Sequence, residues 1–160
     1  MHVLDWVEGT GGDFHASLNH LLEGTGFRVE ENCPVFPVST SLPDEVRLGK
    51  EYGGLLMPDQ NQALLDWWLA KQRGANVPNW DLACQVISPE GIPGLVLVEA
   101  KANVPEFTYG EGGKAPGAAE NDAPIGKAIA EARDALQAQG WHVRISLDRW
   151  YQLSNRVAFA

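Results

Sequence analysis

Two β-rich runs joined by a turn-rich segment constrain the fold of this chain more than any other feature. The first run, Trp80 to Ile87, places apolar residues such as Leu82 and Val86 at every second position, which is typical of a strand. The second run, Leu95 to Val98, is continuously apolar, which is typical of a central strand covered on both faces. The segment between them is rich in Ser, Pro and Gly. We therefore expect a β-hairpin inside the core.

Helical spacing of apolar residues marks three further segments. Asp13 and Asp59 are the expected caps of the first two, the third opens at Asp122, and the three end at Gly24, Gly74 and Gly140. In the second segment Gln62 is the expected capping-box partner, and Trp67 and Trp68 predict a helix buried on more than one side. The last segment is ambiguous, because 142–147 alternates like a strand, whereas Leu147, Trp150 and Ala158 suit a helix that begins near Ser146. We favour a terminal helix over the last dozen or so residues.

This order of elements predicts an α/β fold, with a mixed β-sheet flanked by helices. The 160 residues, 44% hydrophobic and 21% charged, suit a single domain spanning 1–160. After Gly140 the chain offers one strand candidate and then stops. The expected fold is therefore incomplete at its C-terminus. Either the chain is a fragment, or a second copy or a partner chain completes the sheet.

Charge and composition exclude several classes of function. Twelve basic against 21 acidic residues give a net charge of −9, which argues against a broad nucleic-acid-binding surface. A local basic strip, or a metal site that brings its own positive charge, is compatible with that balance. No apolar stretch approaches the ~20 residues of a membrane span, and the start does not resemble a signal peptide. We expect a cytoplasmic protein in which Cys33 and Cys84 are reduced.

Two acidic residues interrupt the apolar pattern of the expected hairpin. Asp81 lies in the first expected strand and Glu99 in the second, and Lys101 comes two residues after Glu99 on the same strand face. Charged groups are rarely buried unless they are paired or bind a metal. Two carboxylates at the ends of one hairpin favour Mg²⁺ or Mn²⁺, and a neighbouring lysine can orient or deprotonate water. The alternative to a catalytic site is that Glu99 and Lys101 form an ordinary ion pair on the surface of an edge strand.

This pattern resembles the PD-(D/E)XK superfamily of restriction-endonuclease-like nucleases. The resemblance covers Ala63 to Leu136 and departs from the motif where Trp80, rather than proline, precedes Asp81. It implies a restriction-endonuclease-like core and a metal-dependent nuclease acting on nucleic acid. Asp81 and Glu99 would be the metal ligands, and Lys101 would position water. The alternative is a non-catalytic member of the fold, or an accessory protein that binds a partner.

Four other polar residues are candidates for supporting roles in the site. Asp66 lies in the helix before the hairpin, where many members of this superfamily add an acidic residue, although a solvent-facing role fits it equally. Gln152, Asn155 and Arg156 share one face if the C-terminus is helical, and such a row can hold a phosphate or a metal-bound water. An ordinary solvated helix face explains that row as well. The histidines form no zinc pattern, and Trp141 and Trp150 are the better candidates for stacking on bases.

Overall fold

A computed structural model describes Trp6 and the ranges 13–30, 32–36, 45–49, 55–70, 77–101 and 119–160. These residues form an α/β arrangement with small antiparallel sheets. In chain order the elements are α1 (Phe14–Leu21), β1 (Val35–Phe36), β2 (Val46–Arg47), α2 (Pro58–Trp68), β3 (Asn79–Trp80), β4 (Leu82–Ile87), β5 (Pro93–Val98), α3 (Asp122–Ala138) and α4 (Tyr151–Phe159). The chain divides into two compact units, residues 1–57 with 79–100 and residues 58–78 with 101–160.

The expected hairpin forms the centre of the first unit. β4 and β5 pair antiparallel from Leu82 opposite Val98 to Ile87 opposite Pro93. The turn closes where the Ser88 amide donates to the Ile92 carbonyl at 2.9 Å. Gly91 lies in this turn at φ +78°, a conformation that glycine adopts without the penalty of a Cβ. The turn-rich segment therefore acts as the sequence predicts.

The strand order corrects two expectations about the sheet. Within the described residues the larger sheet has the order β1–β4–β5, so β4, not β5, is central. β4 is mostly buried, whereas β5 is half-buried along its apolar run. Every described strand pairing is antiparallel, so the parallel pairing of a mixed sheet does not occur there. The uninterrupted apolar run of β5 therefore did not mark the central strand, because a half-buried edge strand can also consist of apolar residues.

The core of the first unit packs α1 against β4. Alternate β4 residues, from Leu82 through Cys84 to Val86, cluster with Phe14 and Leu18 of the helix. α1 begins as predicted. Asp13 Oδ1 accepts a hydrogen bond from the Ala16 amide at 3.1 Å, which satisfies one of the unpaired donors at a helix start. After α1, Arg28 forms an isolated antiparallel bridge with Ile87.

The second unit contains α2, α3 and α4, and it corrects the reading of the tryptophan-rich helix. Trp68 is buried and its ring meets Phe159 of α4 edge to face, with centroids 5.0 Å apart. Trp67 is 43% exposed, so the helix is not buried on more than one side. α2 ends at Trp68, well before the expected Gly74. Asp59 and Gln62 do not form the expected capping box, because the helix begins at Pro58 and Asp59 already lies in its first turn. The Gln62 amide donates to Asp66 Oδ1 at 2.8 Å.

The C-terminal elements follow the sequence more closely. α3 starts at Asp122 as predicted, and Gly140 follows it at φ +88°. The terminal helix is confirmed as α4, although it begins at Tyr151 rather than near Ser146. The candidate strand 142–147 has no regular structure. Its backbone is tied to α4 instead, because the Ser146 amide donates to Ser154 Oγ at 3.0 Å.

The glycine-rich stretch at 110–117 and most of 34–43 lie outside the described residues, apart from the short strand β1. Across the described helices, none combines the length and the apolar character that crossing a membrane requires.

Candidate functional site

Asp81 occupies a β-bulge where β3 gives way to β4. Leu82 pairs with Val98, and the Asp81 amide also donates to the Val98 carbonyl at 2.9 Å. Two consecutive residues therefore oppose one residue of β5, which is the arrangement of a bulge. Bulges bend a strand and redirect its side chains, and they are common beside active sites. The sequence placed Asp81 inside a strand, and the structure corrects this to the bend between two strands.

The Asp81 carboxylate lies against the backbone that follows β5. Its Oδ2 accepts a hydrogen bond from the Ala100 amide at 2.6 Å. That nitrogen is bonded to the carbonyl carbon of Glu99, so the contact brings Asp81 to the peptide unit of the second candidate ligand. A carboxylate that accepts a backbone amide makes one of the stronger hydrogen bonds in proteins. This contact fixes the orientation of a half-buried acid at the base of the hairpin.

Glu99 and Lys101 come directly after the hairpin rather than within it. β5 ends at Val98, so Glu99 is the first residue beyond the strand, which corrects the expectation that it lies inside one. Glu99 and Lys101 are both half-buried. Lys101 is also the first residue of the second unit after the hairpin. That Glu99 and Lys101 share one face stays a prediction, because strand alternation orders side chains only where the strand continues.

The two candidate ligands are both carboxylates, and they belong to no larger cluster of metal-binding side chains in the described residues. Within the described part of the chain, no group of three or more His, Cys, Asp or Glu residues is arranged to hold a metal. Mg²⁺ keeps several waters and commonly takes only one or two protein carboxylates, with phosphate oxygens completing its shell. Asp81 and Glu99 carry oxygen donors of the type that such a site uses. A structural zinc site, which needs four protein ligands, is not formed by these residues.

A polar chain next to Asp81 was not identified from the sequence. Asn79 Nδ2 donates to Glu45 Oε2 at 2.6 Å, and Arg47 Nε donates to Asn79 Oδ1 at 2.8 Å. These bonds join β2 to β3, which pair antiparallel, two residues before the bulge. They fix the strand that leads into Asp81. No local pattern signals them, since the partners lie more than 30 positions apart.

The four supporting candidates all lie in the second unit, in different environments. Asp66 is exposed and accepts the hydrogen bond from Gln62. In α4, Gln152 is exposed while Asn155 is buried, and Arg156 donates to Asn155 Oδ1 at 3.0 Å. The predicted row of three polar residues therefore does not form one uniformly exposed face.

The described cysteines also have distinct environments. Both are free, Cys84 being buried in β4 and Cys33 half-buried. Burial raises the pKa of the Cys84 thiol to about 12, and the charge of Cys33 adds a smaller effect in the same direction. A thiol with so high a pKa is protonated and unreactive near neutral pH. Cys84 is therefore part of the core rather than a nucleophile.

Known proteins provide no further assignment for these residues. Comparison of the chain with protein-family models, with curated proteins and with solved structures found no match.

Proposed function

We propose that this protein is a metal-dependent nuclease with a restriction-endonuclease-like core, in which Asp81 and Glu99 hold Mg²⁺ or Mn²⁺. One observation carries the proposal. The bulge at Asp81 and its 2.6 Å hydrogen bond to the Ala100 amide bring an acid from the start of the hairpin to the backbone at its end. This is the end that carries the Glu-x-Lys triplet.

Each residue has a distinct chemical task in this proposal. Asp81 and Glu99 provide oxygen ligands, and the backbone contact holds Asp81 in one orientation before a cation arrives. A bound divalent cation supplies Lewis-acid polarisation of a phosphate oxygen. The ammonium group of Lys101 would orient the attacking water or offset the negative charge that develops on the phosphate.

Metal binding is the first test, because it does not depend on the substrate. Mn²⁺ titration followed by electron paramagnetic resonance or calorimetry should show a site in the wild-type protein. Asp81→Asn and Glu99→Gln should each weaken it by at least about tenfold, since each removes a charged ligand. The matched control is Glu131→Gln, because Glu131 is an exposed acid on α3 that pairs with Lys127 at 3.6 Å. Unchanged Mn²⁺ affinity in both site variants would refute the metal site.

Cleavage is the second test. Single-stranded and duplex DNA and RNA should be incubated at low salt with Mg²⁺ or Mn²⁺, because a net charge of −9 predicts weak and salt-sensitive binding. Glu99→Ala and Lys101→Ala should each lower any divalent-dependent cleavage by on the order of 100-fold. If the metal binds and no substrate is cut, the result favours the non-catalytic alternative.

A further inference from the structure

We propose that a basic cleft in the second unit binds single-stranded nucleic acid. The cleft has a volume of about 460 Å³, within the ~300–1,000 Å³ that is usual for ligand sites. It lies between the C-terminal half of α3 and the segment that joins α3 to α4. The residues that line it include three arginines, Arg133, Arg144 and Arg149, together with Trp150 and the apolar Val143 and Ile145.

The charge of this cleft is opposite to that of the whole chain. Three of the 12 basic residues line it, and no acidic residue of the described part of the chain does. Arg133 is already paired with its neighbour Asp134 at 2.9 Å, an exposed pair of little energetic value. Arg144 and Arg149 are exposed and have no acidic partner within the described residues. Two free guanidinium groups beside a third are suited to phosphate oxygens.

The segment that carries two of these arginines is held in place before any ligand binds. Ser146 Oγ accepts hydrogen bonds from the amides of Asp148 and Arg149 at 3.3 and 3.2 Å. Gln137 of α3 donates to the Val143 carbonyl at 3.4 Å. A Cβ on Gly126 of α3 would lie 2.8 Å from Leu147 Cδ1, so the glycine permits this close approach. Such fixed positions lower the entropy lost when a ligand binds.

Trp150 is the feature that favours a nucleic-acid strand over a simple anion. It lines the cleft and has φ 53° and ψ 34°, the left-handed region that bulky residues rarely adopt. An indole beside guanidinium groups combines a stacking face for a base with cations for its phosphates, as in single-strand-binding sites. A cleft of this volume receives one nucleotide at a time. A duplex, whose bases are already stacked, offers it only phosphates.

The test is a binding measurement in EDTA, so that its outcome is separate from that of the proposed nuclease activity. Fluorescence anisotropy of a labelled oligothymidylate should show binding at low salt that weakens as salt is added. Arg144→Glu combined with Arg149→Glu should lower the affinity at least about tenfold. It should also reduce the slope of log affinity against log salt by about 0.7 for each lost phosphate contact.

A charge-matched control separates the cleft from the general charge of the protein. Arg28→Glu combined with Lys127→Glu changes the net charge equally, at two exposed basic residues that do not line the cleft. The affinity of this control variant should fall only by the amount that the change in net charge explains, to within about twofold. Equal losses in the two double variants would overturn the proposal, and so would the absence of binding by the wild-type protein.

Two further comparisons test the identity of the ligand. Trp150→Leu should weaken binding and leave the salt slope unchanged, because it removes a stacking face but no cation. Circular dichroism checks that this variant folds. If it does not fold, the double variant at Arg144 and Arg149 still tests the proposal, because both arginines are exposed. A single-strand site would be refuted if the protein bound a duplex as tightly as a single strand. It would also be refuted if thymidine monophosphate competed for the site as well as the oligonucleotide does.

Discussion

Ser154→Ala is the most informative perturbation of the second unit, because one buried hydroxyl connects α4 to the segment before it. Ser154 is 0% exposed. Its Oγ accepts from the Ser146 amide at 3.0 Å and donates to the Arg149 carbonyl at 3.4 Å. Alanine removes both bonds. The Arg149 carbonyl keeps a weak contact with Ser146 Oγ at 3.5 Å, so the Ser146 amide is the group left unpaired.

The expected loss of stability combines two opposing effects. A buried donor without a partner costs about 1–3 kcal/mol, and the half-buried position of Ser146 favours the lower part of that range. Replacing serine by alanine inside a helix returns about 0.5 kcal/mol. We therefore expect Ser154→Ala to lower the free energy of unfolding by about 0.5–1.5 kcal/mol. Tm should fall by roughly 1–6 °C for a chain of this size.

The assay is urea unfolding followed by circular dichroism, with Ser17→Ala as the matched control. Ser17 is an exposed residue of α1, so its replacement should keep only the helix-propensity gain of about 0.5 kcal/mol. Hydrogen exchange should also become faster at the Ser146 amide. If Ser154→Ala is as stable as Ser17→Ala and the Ser146 amide remains protected, the hydrogen-bond reasoning is refuted.

Two other predictions concern the first unit. Leu82→Ala should lower the free energy of unfolding by about 3 kcal/mol, because Leu82 is 0% exposed. The control Leu21→Ala should change it by less than about 0.5 kcal/mol, because Leu21 is 69% exposed. Similar losses of stability for the two variants in urea unfolding would contradict the placement of the core. Because the pKa of Cys84 rises from 9.0 to about 12 on folding, the unfolded state loses this proton first, and stability should fall as the pH rises from 9 towards 12. The difference between wild type and Cys84→Ala in urea unfolding at pH 8 and pH 10.5 isolates this effect, and a difference that does not change with pH would contradict it.

Elements with local signals were predictable from the sequence. The Asp13 cap, the turn at Gly91 and the start of α3 at Asp122 each depend on residues within a few positions of one another. Capping and turn formation are local physics, because they satisfy nearby backbone groups or permit one backbone conformation. The terminal helix was found for a similar reason, although its start was misplaced by several residues.

Features that depend on distant partners were not predictable. The central position of β4 depends on β1, which pairs with it across nearly 50 positions. The exposure of Trp67 depends on which neighbours pack on α2, and its apolar character alone cannot report this. Asp81 and Glu99 could be predicted as site candidates because each interrupts an apolar pattern in the sequence. The bulge that turns Asp81 towards the Ala100 amide required the register of the whole hairpin.

The segment 142–147 shows how a partner decides between two local preferences. Its alternating residues would suit a strand, but a strand is stable only when its backbone groups pair with a neighbour. Here Ser154 supplies a partner for the Ser146 amide, and Gln137 supplies one for the Val143 carbonyl. The same bonds fix Arg144 and Arg149 beside the cleft. Ser154→Ala should therefore lower both stability and oligonucleotide affinity. Arg144→Glu with Arg149→Glu should lower affinity at nearly unchanged stability, since both arginines are exposed. A Ser154→Ala variant that loses stability but binds the strand as tightly as wild type would show that the cleft does not need this fixed segment.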